Sequence, residues 1–215
     1  MQSIINAIVF SGGSYCNPDN VNHILPEDAL VVCADSGVLL CEKFKKKANI
    51  VVGDFDSADY EAARKLSCAK NAHFIHLNPE KDDTDTEFAL NTAIIEGCKT
   101  IYLIGGTGTR LDHTLSNIFL MEKCYKAGVD LIIVNDNNIV YYIKDNPRKF
   151  KKNNMKYISL IPLEDIDVSN SGFYYPLNNE TLHRDSSRGI SNELIEEFGI
   201  ITLKRGCALV VQSKD

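Results

Sequence analysis

Ile101-Tyr-Leu-Ile-Gly-Gly-Thr-Gly-Thr-Arg-Leu-Asp-His113 decides the fold class. Its first four residues are uninterrupted apolar side chains, the pattern of a strand buried on both faces of a parallel sheet. A glycine-rich turn follows, and then a stretch with helical spacing over Leu111–Lys126. In that stretch Leu111, Leu115, Ile118 and Phe119 fall on one stripe at i, i+4, i+7 and i+8, and Gly128 supplies a C-terminal stop. A strand, a glycine loop and a helix in that order form half of a βαβ unit.

The same rhythm extends outward. Apolar runs rich in Val and Ile occur at Ile4–Phe10, Leu30–Ala34, Ile50–Val52, His73–Leu77 and Leu131–Val134. Helical stretches lie between them, roughly Gly37–Phe44, Asp59–Leu66 and Thr86–Glu96. Repeated strand–helix units imply a Rossmann-like, mostly parallel α/β sheet with helices on both faces. From about Asn137 the helical period disappears. Short strand candidates at Ile139–Ile143, Tyr157–Ile161, Ile166–Val168, Phe173–Tyr175, Ile200–Leu203 and Cys207–Val211 are separated by Asn, Asp, Gly and Pro. The expectation is an α/β domain over residues 1–138, followed by a small antiparallel β-sandwich domain over residues 139–215. The basic run Arg148-Lys-Phe-Lys-Lys152 reads as a solvated linker near that boundary.

Carboxylates gather where the predicted strands end. Asp35 closes Leu30-Val-Val-Cys-Ala-Asp35, and Asp54 and Asp56 sit in Gly53-Asp-Phe-Asp-Ser57. Asp82, Asp83 and Asp85 crowd into Lys81-Asp-Asp-Thr-Asp-Thr-Glu87, and Asp112 follows the glycine loop. Ligands of open α/β sheets bind outside the carboxyl ends of the strands. Acids crowded along such a rim repel one another unless a cation neutralises them, and Mg²⁺ takes one or two carboxylates together with substrate phosphates. Each piece also has a plainer reading. Asp56 or Ser57 would cap the next helix, Thr84-x-x-Glu87 fits a capping box, and Gly105-Gly106 would make an ordinary strand–helix turn. Capping needs one or two of these groups and leaves the rest unexplained. The glycine loop can hold phosphate oxygens on its N–H groups, with Arg110 adding a charge-assisted contact. It lacks the Gly-Lys-Ser/Thr ending of a Walker A loop and the Gly-x-Gly-x-x-Gly spacing. His23, His73, His76 and His183 show no metal spacing.

Bulk properties narrow the class further. The 215 residues are 44% hydrophobic and 24% charged, ordinary values for a folded protein. A formal net charge of -6 argues against sequence-independent nucleic-acid binding. No basic-then-apolar leader opens the chain, and no apolar run approaches the ~20 residues of a bilayer span. Seven scattered cysteines with no C-x-x-C pair suit a reducing compartment, and the expected location is cytoplasmic.

Taken in order, Ala34-Asp-Ser-Gly37, Gly53-Asp-Phe-Asp-Ser57, Lys81-Asp-x-Thr-Asp85, Gly105-Gly106 and Arg110-x-Asp-His113 resemble the thiamin pyrophosphokinase family. Ser159-Leu-Ile-Pro-Leu163, the Gly172 to Leu177 stretch and Gly189-Ile-Ser-Asn192 are similar to its C-terminal part. The resemblance implies Mg²⁺-dependent transfer of diphosphate from ATP to the hydroxyl of thiamin, giving thiamin diphosphate and AMP. It further implies a homodimer whose active site is shared between chains.

Carried onto this chain, the family pattern assigns Asp54, Asp56, Asp82 and Asp85 to the metal. Asp35, Gly105, Gly106, Thr107, Arg110, Asp112 and His113 go to the nucleotide, and Asp82, Ser191 and Asn192 to thiamin. Asp82, Asp85, Arg110 and Asp112 are the candidate catalytic residues. Asp85 or Asp82 would orient the thiamin hydroxyl and accept its proton, since a carboxylate is too weak a base to ionise an alcohol beforehand. Some members stack a Trp on the vitamin, whereas this chain has none; Tyr174, Tyr175 or another apolar side chain is left to cover the ring. Two other classes compete. A Mg²⁺-dependent phosphatase or nucleotide hydrolase would use the same acids with water as acceptor, and a non-catalytic sensor would bind without turnover.

Overall fold

The computed structural model describes residues 5–55, 57–78, 80 and 82–215, with the side chains of residues 57 and 58 also outside the description. The chain divides into two compact units, the first ending at Asp136 and the second running from Asn137 to Asp215.

In the first unit six strands are described: β1 (Asn6–Phe10), β2 (Leu30–Ala34), β3 (Ile50–Gly53), β4 (His73–His76), β5 (Thr100–Ile104) and β6 (Asp130–Val134). The helices are α1 (Pro18–Val21), α2 (Gly37–Lys43), α3 (Ser57–Arg64), α4 (Asp85–Ile95) and α5 (Leu111–Lys126), with a 3₁₀ turn at Ser67–Ala69. The strands lie in the order β4-β3-β2-β1-β5-β6, and every described pairing among them is parallel. All five residues of β2 are buried, as are the last four of β1 and of β6. That burial is the physical cause of the continuous apolar runs. β4, at the edge, shows no buried residue.

Helix ends follow local chemistry. Thr84 caps α4 by accepting the Glu87 N–H at 3.2 Å, while the Glu87 carboxylate pairs with Lys123 on α5 at 2.5 Å. Gly128 ends α5 with φ +74°, a conformation that costs a glycine little. α5 does not bury the stripe that its periodicity suggests. Leu111, Leu115 and Phe119 are 66%, 43% and 63% exposed, and Asn117, Met121 and Cys124 are buried instead.

The second unit is a two-layer β-sandwich. Its strands are β7 (Asn138–Lys144), β8 (Arg148–Lys151), β9 (Tyr157–Pro162), β10 (Ile166–Ser171), β11 (Glu180–Leu182), β12 (Phe198–Arg205) and β13 (Cys207–Ser213). One layer pairs β7-β13-β9 and the other β11-β10-β12-β8, all antiparallel. Ile143, Ile158, Leu160 and Val210 of the first layer meet Phe150, Val168, Ile201 and Leu203 of the second in one core. Each such side chain is worth about 1.5–3 kcal/mol when withdrawn from water.

The basic run read as a linker is a correction: Arg148–Lys151 is edge strand β8, with Phe150 buried against the core. Alternation explains the misreading. Phe150 points inward while Lys149 and Lys151 stay exposed, and lysines on a sheet edge discourage pairing with other chains. Phe173–Tyr175 is also not a strand, since Phe173 makes only an isolated bridge with Leu194. All seven cysteines are buried thiols outside any disulfide.

Candidate active site

Strand order sets the position of the cleft. The chain steps outward from β1 through β2 and β3 to β4, then returns to β5 on the other flank of β1. The strand order thus reverses between β1 and β5, and the strand C-termini at such a switch point are where α/β sheets bind ligands. A cleft of about 610 Å³ lies there. Ser11–Ser14 after β1, Asp35 and Ser36 after β2, Asp83–Thr86 at the start of α4, and Gly105–Arg110 after β5 line it, with His113 and Asn117 from α5.

The two glycine loops are stitched together by backbone. Ser11 N–H donates to Ile104 O (2.8 Å), Gly13 N–H to Gly105 O (2.9 Å) and Ser14 N–H to Thr107 O (2.8 Å). A Cβ at Gly13 would collide with the carbonyl oxygens of Gly105 and Thr107, and one at Gly105, where φ is +72°, would collide with Ser11 O. Only glycine permits that approach. Ser11 and Thr86 share a buried hydroxyl–hydroxyl bond of 2.6 Å that ties the β1 loop to α4. Asp35 adopts φ +49°, uncommon for a residue other than glycine, while its N–H continues the sheet by donating to Val52 O at 2.7 Å.

Arg110 occupies the N-cap position of α5 and holds Asp112 through two bonds, Nε to Oδ1 at 3.2 Å and Nη2 to Oδ2 at 2.6 Å. The His113 N–H adds a third bond to Asp112 Oδ1 at 2.9 Å. Arg110 thus lowers the Asp112 carboxyl to about 2, with the His113 amide second, and its own pKa is raised in return. The fork orients the exposed Arg110 guanidinium, which lines the cleft.

The structure brings Asp35, Asp85, Gly105, Gly106, Thr107, Arg110 and His113 to this cleft, with Asp112 behind Arg110. Asp54 is exposed just beyond β3, and Asp82 is exposed ahead of α4; neither lines the cleft. The expectation for Asp56 lies outside the described residues. Ser11–Ser14, Thr86 and Asn117 were not singled out by sequence, while Asp83, Thr84 and Ser36 were read as part of an acid cluster, a helix cap and a family motif without a role in the site. A Gly-Gly pair directly after an apolar run was the available signal for Ser11–Ser14; nothing local marks Asn117. Among the described residues no three His, Cys, Asp or Glu side chains converge on a point. The hard oxygens of Asp35, Asp83 and Asp85 nevertheless fit Mg²⁺, which needs only one or two carboxylates when phosphates and water complete its shell.

In the second unit a separate pocket of about 270 Å³ is lined by Ile158, Leu160, Phe173, Tyr175, Arg188 and Asn192, among others. Asn192 spends both ends of its amide on Tyr175, accepting its N–H at 3.0 Å and donating to its carbonyl at 2.8 Å. Ser191, at φ +58°, anchors its N–H on Ser159 Oγ at 3.0 Å and does not line the pocket. Tyr174 and Tyr175 stand edge to face, centroids 4.9 Å apart, and are both more than 60% exposed.

A doubly wound sheet with a glycine-lined, acid-rimmed cleft, followed by a β-sandwich, defines a phosphate-transferring α/β enzyme class. The family model described as thiamin pyrophosphokinase, catalytic domain, matches residues 21–133, and that described as thiamin pyrophosphokinase, vitamin B1 binding domain, matches residues 148–208. Thiamine pyrophosphokinase of Bacillus subtilis (strain 168) is 34% identical over 188 residues, covering 86% of this chain and 84% of its own. The crystal structure of thiamine pyrophosphokinase from Bacillus subtilis superposes with TM-score 0.86 at 27% identity, over 98% of this chain and 99% of that one. That of the Geobacillus thermodenitrificans enzyme gives 0.84 at 31% identity, over 99% and 98%. The chain belongs to the thiamin pyrophosphokinase family.

Proposed function

We propose that this chain transfers diphosphate from ATP to thiamin in a Mg²⁺-dependent reaction. The first unit holds the nucleotide, the second the vitamin, and the working form is a cytoplasmic homodimer with the active site shared between chains. The observation that carries the reading is the cleft at the β1/β5 switch point. Backbone amides, the Arg110 guanidinium and carboxylates face one volume there, in a chain that both domain models match.

The thiamin hydroxyl oxygen attacks the β-phosphorus of ATP. A new O–P bond forms, the bond from that phosphorus to the α,β-bridging oxygen breaks, and AMP departs with the bridging oxygen. Little else is needed beyond positioning and charge neutralisation. Mg²⁺, when bound, would neutralise the phosphate charge; Asp85 would hold it from the cleft, and the family pattern adds Asp54, Asp56 and Asp82, of which Asp54 and Asp82 stand outside the cleft lining. Gly105, Gly106 and Thr107 offer the phosphates N–H groups in a loop whose shape is set before substrate arrives. Arg110, kept in place by Asp112, meets the charge that moves onto the leaving group. Asp35 and His113 bound the nucleotide side of the cleft. Asp85 orients the thiamin hydroxyl and takes its proton as the O–P bond forms. Asp82 is the second candidate, and it stands outside the cleft lining. The largely apolar pocket lined by Tyr175 and Asn192 suits a flat heteroaromatic ring, with Ser191 next to Asn192 in the chain but outside the lining.

The test is a product assay with ATP, Mg²⁺ and thiamin. Equal amounts of AMP and thiamin diphosphate, formed only with metal, are expected. ADP or free phosphate released regardless of thiamin would replace this reading with a hydrolase, and thiamin binding without turnover would replace it with a sensor.

A further inference from the structure

The glycine loop after β5 has little intrinsic reason to keep one shape. Gly13 N–H already holds the carbonyl of Gly105, but Gly106 also lacks a side chain, and a peptide unit that begins at such a residue flips at small cost unless its carbonyl is held too. A phosphate site built from backbone N–H groups works only when those groups already point at the ligand. Two side-chain amides from different elements restrain the loop.

Asn117, on the buried face of α5, is 6% exposed and donates from Nδ2 to Gly106 O at 2.7 Å. Asn135, just after β6, donates from Nδ2 to Thr107 Oγ1 at 3.0 Å. The described peptides are all trans, so the carbonyl of Gly106 and the N–H of Thr107 point in opposite directions across one plane. Pinning that carbonyl fixes the N–H. The second bond acts on the hydroxyl. Thr107 Oγ1 accepts from the amide, so its own proton is the part left to donate, and an anionic oxygen is the partner that suits it. Thr114, one turn before Asn117, completes the clamp: its Oγ1 accepts from Gly108 N–H and donates to Arg110 O, each at 3.2 Å.

We propose that Asn117 and Asn135 are positioning residues that hold the Gly106–Thr107 peptide and the Thr107 hydroxyl as preset donors to the nucleotide phosphates. Both are assigned to act through the loop. A buried amide could serve packing alone, but these two come from different elements and converge on adjacent residues of one loop in the cleft. The inference rests on the diphosphate-transfer reading.

The experiment is steady-state kinetics on Asn117→Ala, Asn135→Ala, Thr107→Val and the Asn135→Ala/Thr107→Val pair, with ATP and thiamin varied separately. Asn117→Ala is expected to raise KM for ATP about tenfold or more while KM for thiamin stays within about twofold. Asn135→Ala raises KM for ATP less, and adding it to Thr107→Val changes little, because both remove the same contact. A purely structural role lowers kcat through the active fraction and leaves both KM values where they were; that pattern overturns the proposal. If Asn117→Ala does not fold, the Asn135 and Thr107 variants decide alone. Wild-type protein yielding no AMP and thiamin diphosphate would instead sink the underlying function reading.

Discussion

Asp112 has both carboxylate oxygens engaged, by the Arg110 guanidinium and by the His113 amide. Its folded pKa, about 2, lies below the ordinary 3.8. The stabilisation is therefore present above the ordinary value and is lost only as pH falls through about 2. At any workable assay pH this residue is ionised, so the acid limb of a kcat/KM profile belongs to another group. Asp112→Asn is expected to leave that limb in place and to raise KM for ATP roughly fivefold by loosening Arg110. A limb that moved with the substitution would contradict this assignment. Asp85 stands in a different position, half-buried at the head of α4 and lining the cleft. Asp85→Asn should cut kcat by about 10²–10³-fold, since it removes both a proton acceptor and a hard ligand; near-normal turnover would rule the residue out.

α5 shows how an element can be read correctly in extent and wrongly in orientation. Its predicted limits, Leu111 and Lys126, match the structure, yet the apolar stripe used to find it faces outward. Asn117, Met121 and Cys124 repeat at the same helical spacing, so periodicity alone does not choose between the two faces. What chooses is the loop at its head, where Asn117 must meet Gly106 O and Thr114 must meet Gly108. Unfolding measurements would separate the faces. Met121→Ala should cost about 2–5 kcal/mol as a buried truncation, whereas Leu115→Gln should stay within about 0.5 kcal/mol. Comparable losses would mean that the helix is turned the other way. β8 carries a similar lesson, because one buried Phe150 among exposed lysines is too short a signal to tell an edge strand from a loop.

At the scale of the molecule, two units of different architecture follow one another, and every family relative compared spans nearly the whole of this chain or most of it. Among the described residues no helix is long and apolar enough to cross a membrane. The seven buried thiols have no disulfide, and burial pushes several upward, Cys16 to about 12 with the Asp136 carboxylate adding to the effect. The homodimer proposal makes a distinct prediction. Sedimentation should report twice 24.0 kDa. Mixing inactive Asp85→Asn with inactive Asn192→Ala should restore about a quarter of wild-type turnover, because one intact site forms in each mixed dimer. A monomer, or no recovery on mixing, would remove the shared site.

The order of elements, the change from parallel α/β to antiparallel β, and the placing of Asp35, Asp85, Gly105 and Arg110 at strand ends were all legible along the chain. Each is written in a local pattern: continuous apolar runs, glycine after a strand, acids before a helix. Strand order was not. The neighbours that β1 chooses depend on contacts between residues far apart in sequence, and those contacts put the Ser11–Ser14 loop against Gly105–Thr107. The rotation of α5, the burial of Asn117 and the edge position of β8 arise in the same way. Local periodicity says that a face will be buried; only the assembled packing says which face, and against what.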